Sequence, residues 1–188
     1  MLISVIIPTY NRCEILKETL ESFISLKHND NGSSYEIIVV DNNSNDNTKV
    51  VVMSFDGKLP IKYLHEPKQG KNNALNLAIS KSNGDILAFI DDDISPDKNW
   101  LCVLYLSAKR YPDGLVFGGK ILPLFPPPTP EWMKNSYYSS FVYGVHDLVQ
   151  SEGVYKNSGT PGGGNCWVRS SVFAAGHMYD SDIGPKGS

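Results

Sequence analysis

The hydrophobic pattern of residues 1–111 alternates between short apolar runs and longer amphipathic segments. Short runs rich in β-branched residues are typical of buried strands, whereas apolar residues that recur every three or four positions are typical of helices. The pattern predicts strands over 2–8, 35–41, 61–66 and 85–91, and helices over 11–27, 45–55, 70–82 and 99–111. Strands that are apolar on both faces belong in a parallel sheet covered by helices. The sequence therefore predicts an α/β fold with three layers, α/β/α, around a mostly parallel central sheet.

The pattern changes near residue 125, where the segment FPPPTPEWM (125–133) begins. Proline at this density excludes a helix interior or a central strand. Residues 114–125 predict a return of the chain to the sheet, and residues 159–173 predict a glycine-rich loop that leads into a short helix. We predict a single domain, with an α/β core over 1–124 and the start of an attached region over 125–188.

Composition and charge exclude several classes of protein. The formal net charge is -3, which argues against non-specific nucleic-acid binding because that requires a basic surface. The three widely spaced cysteines, Cys13, Cys102 and Cys166, indicate a reducing compartment. No apolar run approaches the roughly 20 residues that span a bilayer. We expect a cytoplasmic location, either free or at the cytoplasmic face of a membrane, with no nucleic-acid partner and no membrane span.

Three acids, Asp91, Asp92 and Asp93, follow the fourth predicted strand directly. Ligands of open α/β sheets bind at the carboxyl ends of the strands, where residues 9–12 and 41–43 form two further polar clusters. In an extended chain, Asp91 and Asp93 point the same way and Asp92 points oppositely. Two converging carboxylates are stable when a cation lies between them, and Mg²⁺ or Mn²⁺ prefers oxygen ligands. The pattern favours a divalent metal site, and the alternative is that these acids cap the next helix.

Other ligand sites fail at specific positions. Residues 41–52 begin like a calcium-binding EF-hand loop, but Asp46 stands where that loop needs glycine and Val52 where it needs glutamate. The chain has no G-x-G-x-x-G after its first strand and no G-x-x-x-x-G-K-[ST] anywhere. A dinucleotide-binding dehydrogenase and a P-loop nucleotidase are therefore both disfavoured.

Five motifs, in this order and spacing, resemble those of family 2 glycosyltransferases of the GT-A fold. The motifs are ISVIIPTYNR (3–12), EIIVVDNNSNDNT (36–48), GKNNALNLAI (70–79), the D-x-D strand DILAFIDDDISP (85–96) and GGGNCWVRSSVF (162–173). The resemblance covers nearly the whole chain. It implies a Rossmann-like, nucleotide-sugar-binding core over 1–124 and the start of an acceptor-side region over 125–188.

The resemblance also implies a reaction. A sugar would pass from a nucleoside-diphosphate sugar, with a UDP-sugar favoured, to a hydroxyl of a glycan or another acceptor. The reaction would invert the anomeric centre and use Mn²⁺ or Mg²⁺ as cofactor. The expected setting is the synthesis of a polysaccharide or a cell-surface glycan.

Individual residues receive roles from the same resemblance. The implied nucleotide-sugar-binding set is Pro8, Thr9, Tyr10, Arg12, Asp41, Lys71, Asp91 and Asp92. Asp41 would accept a hydrogen bond from the base, and Lys71 would lie near the phosphates. Asp93 would bind the metal together with Asp91. The acceptor or sugar side would be formed by Gly163, Gly164 and Asn165.

Structural roles stay open for several of these positions. Lys71 could be an exposed helix residue, Asp41 a turn-forming acid and the glycines of 162–164 a tight turn. Trp132 and Trp167 could stack on sugars or could be ordinary packing residues.

The catalytic base is the least defined part of the expected site. In the resembled family it lies in an acidic motif that follows a segment like YDSDIGPKGS (179–188). We therefore expect the base beyond Ser188, with Asp182 as a weak candidate within the chain, and poor transfer by these residues alone. Two other functions remain alternatives: a non-catalytic nucleotide- or carbohydrate-binding module, and a sugar nucleotidyltransferase. The second usually has a basic glycine-rich loop after strand one, which PTYNRCE (8–14) lacks.

Overall fold

A six-stranded sheet with helices on both faces forms the centre of the molecule. The computed structural model describes residues 1–27, 34–125, 127–134, 153 and 160–185. The strands are β1 (Leu2–Thr9), β2 (Ser34–Asp41), β3 (Ile61–His65), β4 (Ile86–Phe89), β5 (Val116–Gly118) and β6 (Cys166–Arg169). The helices are α1 (Cys13–Ile24), α2 (Thr48–Met53), α3 (Lys71–Lys81), α4 (Trp100–Arg110) and α5 (Ser170–Ala174), with 3₁₀ turns at Glu131–Lys134 and Gly163–Asn165.

The strand order is β3-β2-β1-β4-β6-β5, and the first four strands of this order are parallel. The predicted α/β class with a mostly parallel sheet is therefore confirmed. Thr9 of β1 is in register with Asp41 of β2, and Ile6 of β1 with Phe89 of β4. This register places the polar residues after β1, β2 and β4 at one edge of the sheet, as expected from the sequence.

Both faces of the sheet are covered, which explains why the parallel strands are apolar throughout. Ile3, Val5 and Ile7 point to the face covered by α1 and α4, where Leu20 and Leu104 are fully buried. The neighbouring residues of the same strands point to the other face. There α3 packs through Ala74, Leu75 and Ala78. Each large aliphatic side chain buried in this way contributes about 1.5–3 kcal/mol. Among the helices of the described ranges, none is both long and apolar enough to cross a membrane.

The prediction of a loop leading into a helix over 159–173 is wrong in one respect. Residues 166–169 form β6, which pairs antiparallel with β4 on one side and with β5 on the other. The short helix follows it at Ser170–Ala174. A strand of four residues is too short to show a clear period of two, and its partners lie far away in the sequence. The return of 114–125 to the sheet is confirmed, but only over Val116–Gly118.

Arg169 fixes this inserted strand against α4. Its Nε donates to the carbonyl of Gly114 at 2.7 Å, and its Nη2 donates to the carbonyls of Ala108 at 2.7 Å and Tyr111 at 3.0 Å. A cation that binds the last carbonyls of a helix also interacts favourably with the helix dipole. The end of α4 and the inner strand β6 are thereby joined through one side chain.

We expect Arg169→Met to lower the free energy of unfolding by about 2 kcal/mol, because it leaves three partly buried carbonyls without their charged donor. Urea denaturation measures the change. The control is Lys17→Met, an exposed cation on α1 whose loss should cost less than about 0.5 kcal/mol. Equal stability of the two variants would show that Arg169 does not hold β6 in place.

Candidate functional site

A cavity of about 290 Å³ lies at the edge of the sheet where β1, β2 and β4 end. Its lining consists of Pro8, Thr9, Tyr10, Arg12, Asn42, Gln69, Lys71, Asp91, Asp92, Asp93 and Pro185. The structure thus brings together all of the predicted nucleotide-sugar-binding residues except Asp41, together with the predicted metal ligand Asp93. The cavity contains charges of both signs within a small space.

The turn after β1 directs Arg12 towards the acids. Asn11 has a positive φ of 51°, accepts a hydrogen bond from the N–H of Asn45 and donates its own N–H to Ser44. Asp46 accepts the N–H groups of Cys13 and Thr48, near the starts of α1 and α2. Asp46, the residue that excluded a calcium loop in the sequence, therefore joins the turns that follow β1 and β2.

Asp92 is the buried member of the three acids, with 4% of its surface exposed. Its carboxylate accepts hydrogen bonds from Thr9 Oγ1 at 2.7 Å and from Arg12 Nη1 at 2.6 Å, and its carbonyl accepts one from Thr19 at 2.6 Å. Burial raises the pKa of Asp92, and the bonds from Thr9 and Arg12 oppose that rise. Asp92 is therefore a structural acid that joins β1, α1 and the end of β4.

Asp91 and Asp93 are more accessible, with side chains 35% and 47% exposed. Asp93 pairs with Arg12 Nη2 at 2.9 Å, and Asp91 pairs with Lys71. Burial alone would lower the pKa of Arg12, but the hydrogen bond to Asp93 and the charges of the three acids raise it. β4 ends at Phe89, so the acids are not part of an extended strand and the predicted alternation of their side-chain directions does not apply. Arg12 contacts Asp92 and Asp93 together.

Asn42 places Lys71 opposite Asp91. Its side-chain nitrogen donates to the carbonyls of Glu66 and Lys68, and its Oδ1 accepts the N–H of Gly70 at 2.7 Å. Gly70 has a φ of 128°, a conformation that favours glycine, and α3 begins at the next residue. This buried asparagine was not assigned to the site from the sequence, although it lies in the polar cluster after β2.

Asp41 is 3% exposed and is not among the described residues that line the cavity. One of its oxygens accepts the N–H of Ser44 at 2.8 Å, and the other accepts the hydroxyl of Tyr63 at 2.7 Å. Burial and this hydrogen bond raise the pKa of the Tyr63 hydroxyl. Contact between Asp41 and a nucleotide base stays a prediction.

The glycine-rich loop lies against the acids. A Cβ added to Gly164 would stand 3.2 Å from Asp91 Oδ2, so this position is tight for any larger residue. The Oδ1 of Asn165 accepts the indole N–H groups of Trp100 and Trp167, and its Nδ2 donates to the carbonyl of Lys120. The described contacts of the Asn165 amide are thus internal to the fold. A direct contact of this loop with a sugar or acceptor stays a prediction.

The two tryptophans considered as sugar platforms differ. Trp167 is 4% exposed and packs between Trp100 and Phe117, so it is a core residue. Trp132 is 56% exposed.

Asp182 is exposed, and its N–H donates to Asp180 Oδ1 at 2.9 Å. It is not among the described residues that line the cavity. Gln69 and Pro185 line the cavity but were not assigned from the sequence. Gln69 immediately precedes the Gly70-Lys71 start of α3, whereas no local feature marks Pro185, because its place depends on a contact with a distant helix.

In the described residues, the side chains at the predicted metal site do not by themselves form a complete set of metal ligands. Within the part of the chain that the structure describes, no group of three or more His, Cys, Asp or Glu side chains is arranged to hold an ion. Asp91 and Asp93 nevertheless supply carboxylate oxygens of the type that Mg²⁺ and Mn²⁺ prefer, at a cavity where a phosphate can complete the coordination. The donor set therefore fits a divalent ion that is shared with a ligand.

The family model for glycosyl transferase family 2 matches residues 4–175. Glycosyltransferase AglE of Haloferax volcanii is 40% identical over 102 residues, which cover 53% of this chain and 33% of that protein. S. aureus TarS 1–349 in complex with UDP-GlcNAc superposes with a TM-score of 0.67 at 21% identity, covering 94% of this chain and 47% of that one. The mannosyltransferase PcManGT from Pyrobaculum calidifontis, in complex with GDP-Man and Mn²⁺, superposes with a TM-score of 0.63 at 20% sequence identity. This superposition covers 98% of this chain and 49% of that one. The chain thus spans between a third and a half of these proteins.

The burial of Asp92 predicts an unequal coupling of Arg12 to its two acids. Double-mutant cycles that combine Arg12→Gln with Asp92→Asn should give a coupling of about 1–2 kcal/mol in the free energy of unfolding, because the pair is partly buried. The matched cycle with Asp93→Asn should give less than about 1 kcal/mol, since Asp93 is half-exposed. Urea denaturation supplies the values. A larger coupling to Asp93 than to Asp92 would contradict the structural role of Asp92.

Proposed function

Because the chain belongs to glycosyl transferase family 2, we propose that it binds a nucleoside-diphosphate sugar in the cavity at the strand ends. The sugar is then transferred to an acceptor hydroxyl with inversion. The observation that carries the proposal is the cavity of about 290 Å³, which is lined by Arg12, Lys71 and the three carboxylates that pair with them. This size is near the lower end of the range for small-molecule sites.

The bound molecules of the similar structures support this class of donor. The structure of S. aureus TarS is solved in complex with UDP-GlcNAc, and that of the mannosyltransferase from P. calidifontis in complex with GDP-Man and Mn²⁺. We take a UDP-sugar as the first candidate, with Asp41 as acceptor for the ring N–H of the base. The expected setting is polysaccharide or cell-surface glycan synthesis in the cytoplasm.

The cations of the cavity bind the diphosphate in this proposal. Arg12 presents a planar guanidinium, which suits phosphate oxygens, and Asp92 fixes its orientation. Lys71 acts as a point charge at the start of α3. Both side chains exchange a carboxylate partner for a phosphate when the donor enters.

Asp91 and Asp93 would hold a divalent cation, Mn²⁺ or Mg²⁺. The ion, when bound, neutralises the negative charge that develops on the leaving nucleoside diphosphate. Asp92 is not proposed as a metal ligand, because its side chain is only 6% exposed and is bound by Thr9 and Arg12.

Transfer also requires a base that takes the proton of the acceptor hydroxyl. The carboxylates that line the cavity among the described residues, Asp91, Asp92 and Asp93, are each paired with a cation. We assign none of them to this role. Because no base is assigned among the described residues, a non-catalytic nucleotide-binding module is the second candidate function for residues 1–188.

Isothermal titration tests the proposal. UDP and GDP should bind in the presence of Mn²⁺, with one nucleotide clearly preferred, and EDTA should weaken binding at least tenfold. Asp93→Asn should weaken Mn²⁺-dependent binding by about 10- to 100-fold. The control Asp97→Asn changes an exposed acid that follows the same strand and whose carboxylate accepts local hydrogen bonds from Asn99. The proposal fails if neither nucleotide binds, or if the two variants behave alike.

Hydrolysis of the bound UDP-sugar distinguishes the two candidate functions. Metal-dependent turnover favours the transferase, whereas binding without turnover favours the binding module for these residues.

A further inference from the structure

Residues 179–185, here called the strap, lie along the polar side of α3. Asn76 exchanges two hydrogen bonds with the backbone of Tyr179, accepting its N–H at 3.0 Å and donating to its carbonyl at 2.8 Å. One turn earlier, Asn72 donates to the carbonyls of Asp180 at 2.7 Å and Ile183 at 2.9 Å. The N–H of Lys71 donates to the carbonyl of Pro185 at 3.1 Å. The strap is therefore bound to the helix at its start, middle and end.

A ring contact and a backbone conformation also define the position of the strap. The ring of Tyr179 packs edge-to-face on Phe89 with the centroids 5.8 Å apart, and burial raises the pKa of Tyr179 to about 12, with a smaller contribution from Cys166. Gly184 has a φ of 98°, where a side chain is strained, and a Cβ added there would stand 3.6 Å from the Asn72 amide. The backbone conformation and the ring contact both fix the path of the strap.

The end of the strap is part of the cavity. Pro185 belongs to the lining, next to the helix start that carries Lys71, whose ammonium group pairs with Asp91. Asn72 and Asn76 do not line the cavity, but they hold the segment that does.

We propose that Asn72 and Asn76 are positioning residues that hold the strap as one wall of the donor cavity, so that nucleotide binding depends on them. This inference rests on the proposed function. The two asparagines lie four residues apart and therefore on one face of α3. Ala74, Leu75 and Ala78 pack against the sheet on another face. A primary amide is suited to the task because it offers a donor and an acceptor, which match one peptide group.

The test compares Asn76→Ala, Asn72→Ala and Ser80→Ala. Ser80 occupies the next position on the same face, is exposed, and its hydroxyl donates to the carbonyl of Leu77 within the helix. Binding of UDP with Mn²⁺ is measured by titration, and amide hydrogen exchange of residues 179–185 is measured on the same proteins. We expect both asparagine variants to weaken binding about tenfold and to accelerate exchange in the strap, whereas Ser80→Ala matches the wild type.

A second substitution separates positioning from a general loss of stability. Asn76→Gln keeps both the donor and the acceptor on a longer side chain, so its binding should lie between Asn76→Ala and the wild type. This variant also serves if Asn76→Ala does not fold.

The possible outcomes are distinguishable. Faster exchange in the strap with nucleotide affinity within twofold of the wild type would overturn the inference and leave the proposed function standing. Equal loss of affinity in Ser80→Ala would overturn it as well. If the wild type itself binds neither UDP nor GDP with Mn²⁺, the proposed function fails first and the inference falls with it.

Discussion

The buried carboxylate of Asp92 is the interaction on which the site depends. It is 4% exposed and is held by a hydroxyl from the end of β1 and a guanidinium from the start of α1. Leaving such a group without partners would cost several kcal/mol, so β1, α1 and the end of β4 must meet in one arrangement. Asp91 and Asp93 flank this fixed point, which places them at the cavity. An apolar strand can end in three acids because one is buried against Thr9 and Arg12 and the other two are partly exposed at the cavity.

Charge balance supports the proposal that this space binds a metal and a diphosphate together. Three carboxylates face two cations in the cavity, so the acids exceed the cations by one charge. A diphosphate would add further negative charge, and a divalent ion between phosphate and carboxylates would offset it. The cavity is also built from distant parts of the chain: Asn42 sets the start of α3, and the strap brings Pro185 to the same space. Its shape depends on buried and half-buried amides as much as on the charged residues.

The sequence predicted the parts that depend on long periodic segments. The four parallel strands, the helices between them and the shared edge of the polar clusters follow from hydrophobic period and parallel topology. β6 was missed because four residues carry little periodicity and its partners are remote in sequence. The prediction that Asp91 and Asp93 point one way and Asp92 the other was wrong, because β4 ends at Phe89 and the acids lie outside the strand. The amide roles of Asn42 and Asn165 arise from contacts between distant segments, which a local pattern does not encode. The roles of Asp41 and Asp93 remain predictions.

We propose that Asp91, Asp93, Arg12 and Lys71 together bind a metal-complexed diphosphate. A crystal structure of the chain with Mn²⁺ and UDP tests it most directly. We predict an ion at about 2.0–2.2 Å from carboxylate oxygens of Asp91 or Asp93 and from the diphosphate, with Arg12 or Lys71 on phosphate oxygens. Binding of the ion and the nucleotide elsewhere, while Arg12 and Lys71 keep their carboxylate partners, would contradict this proposal.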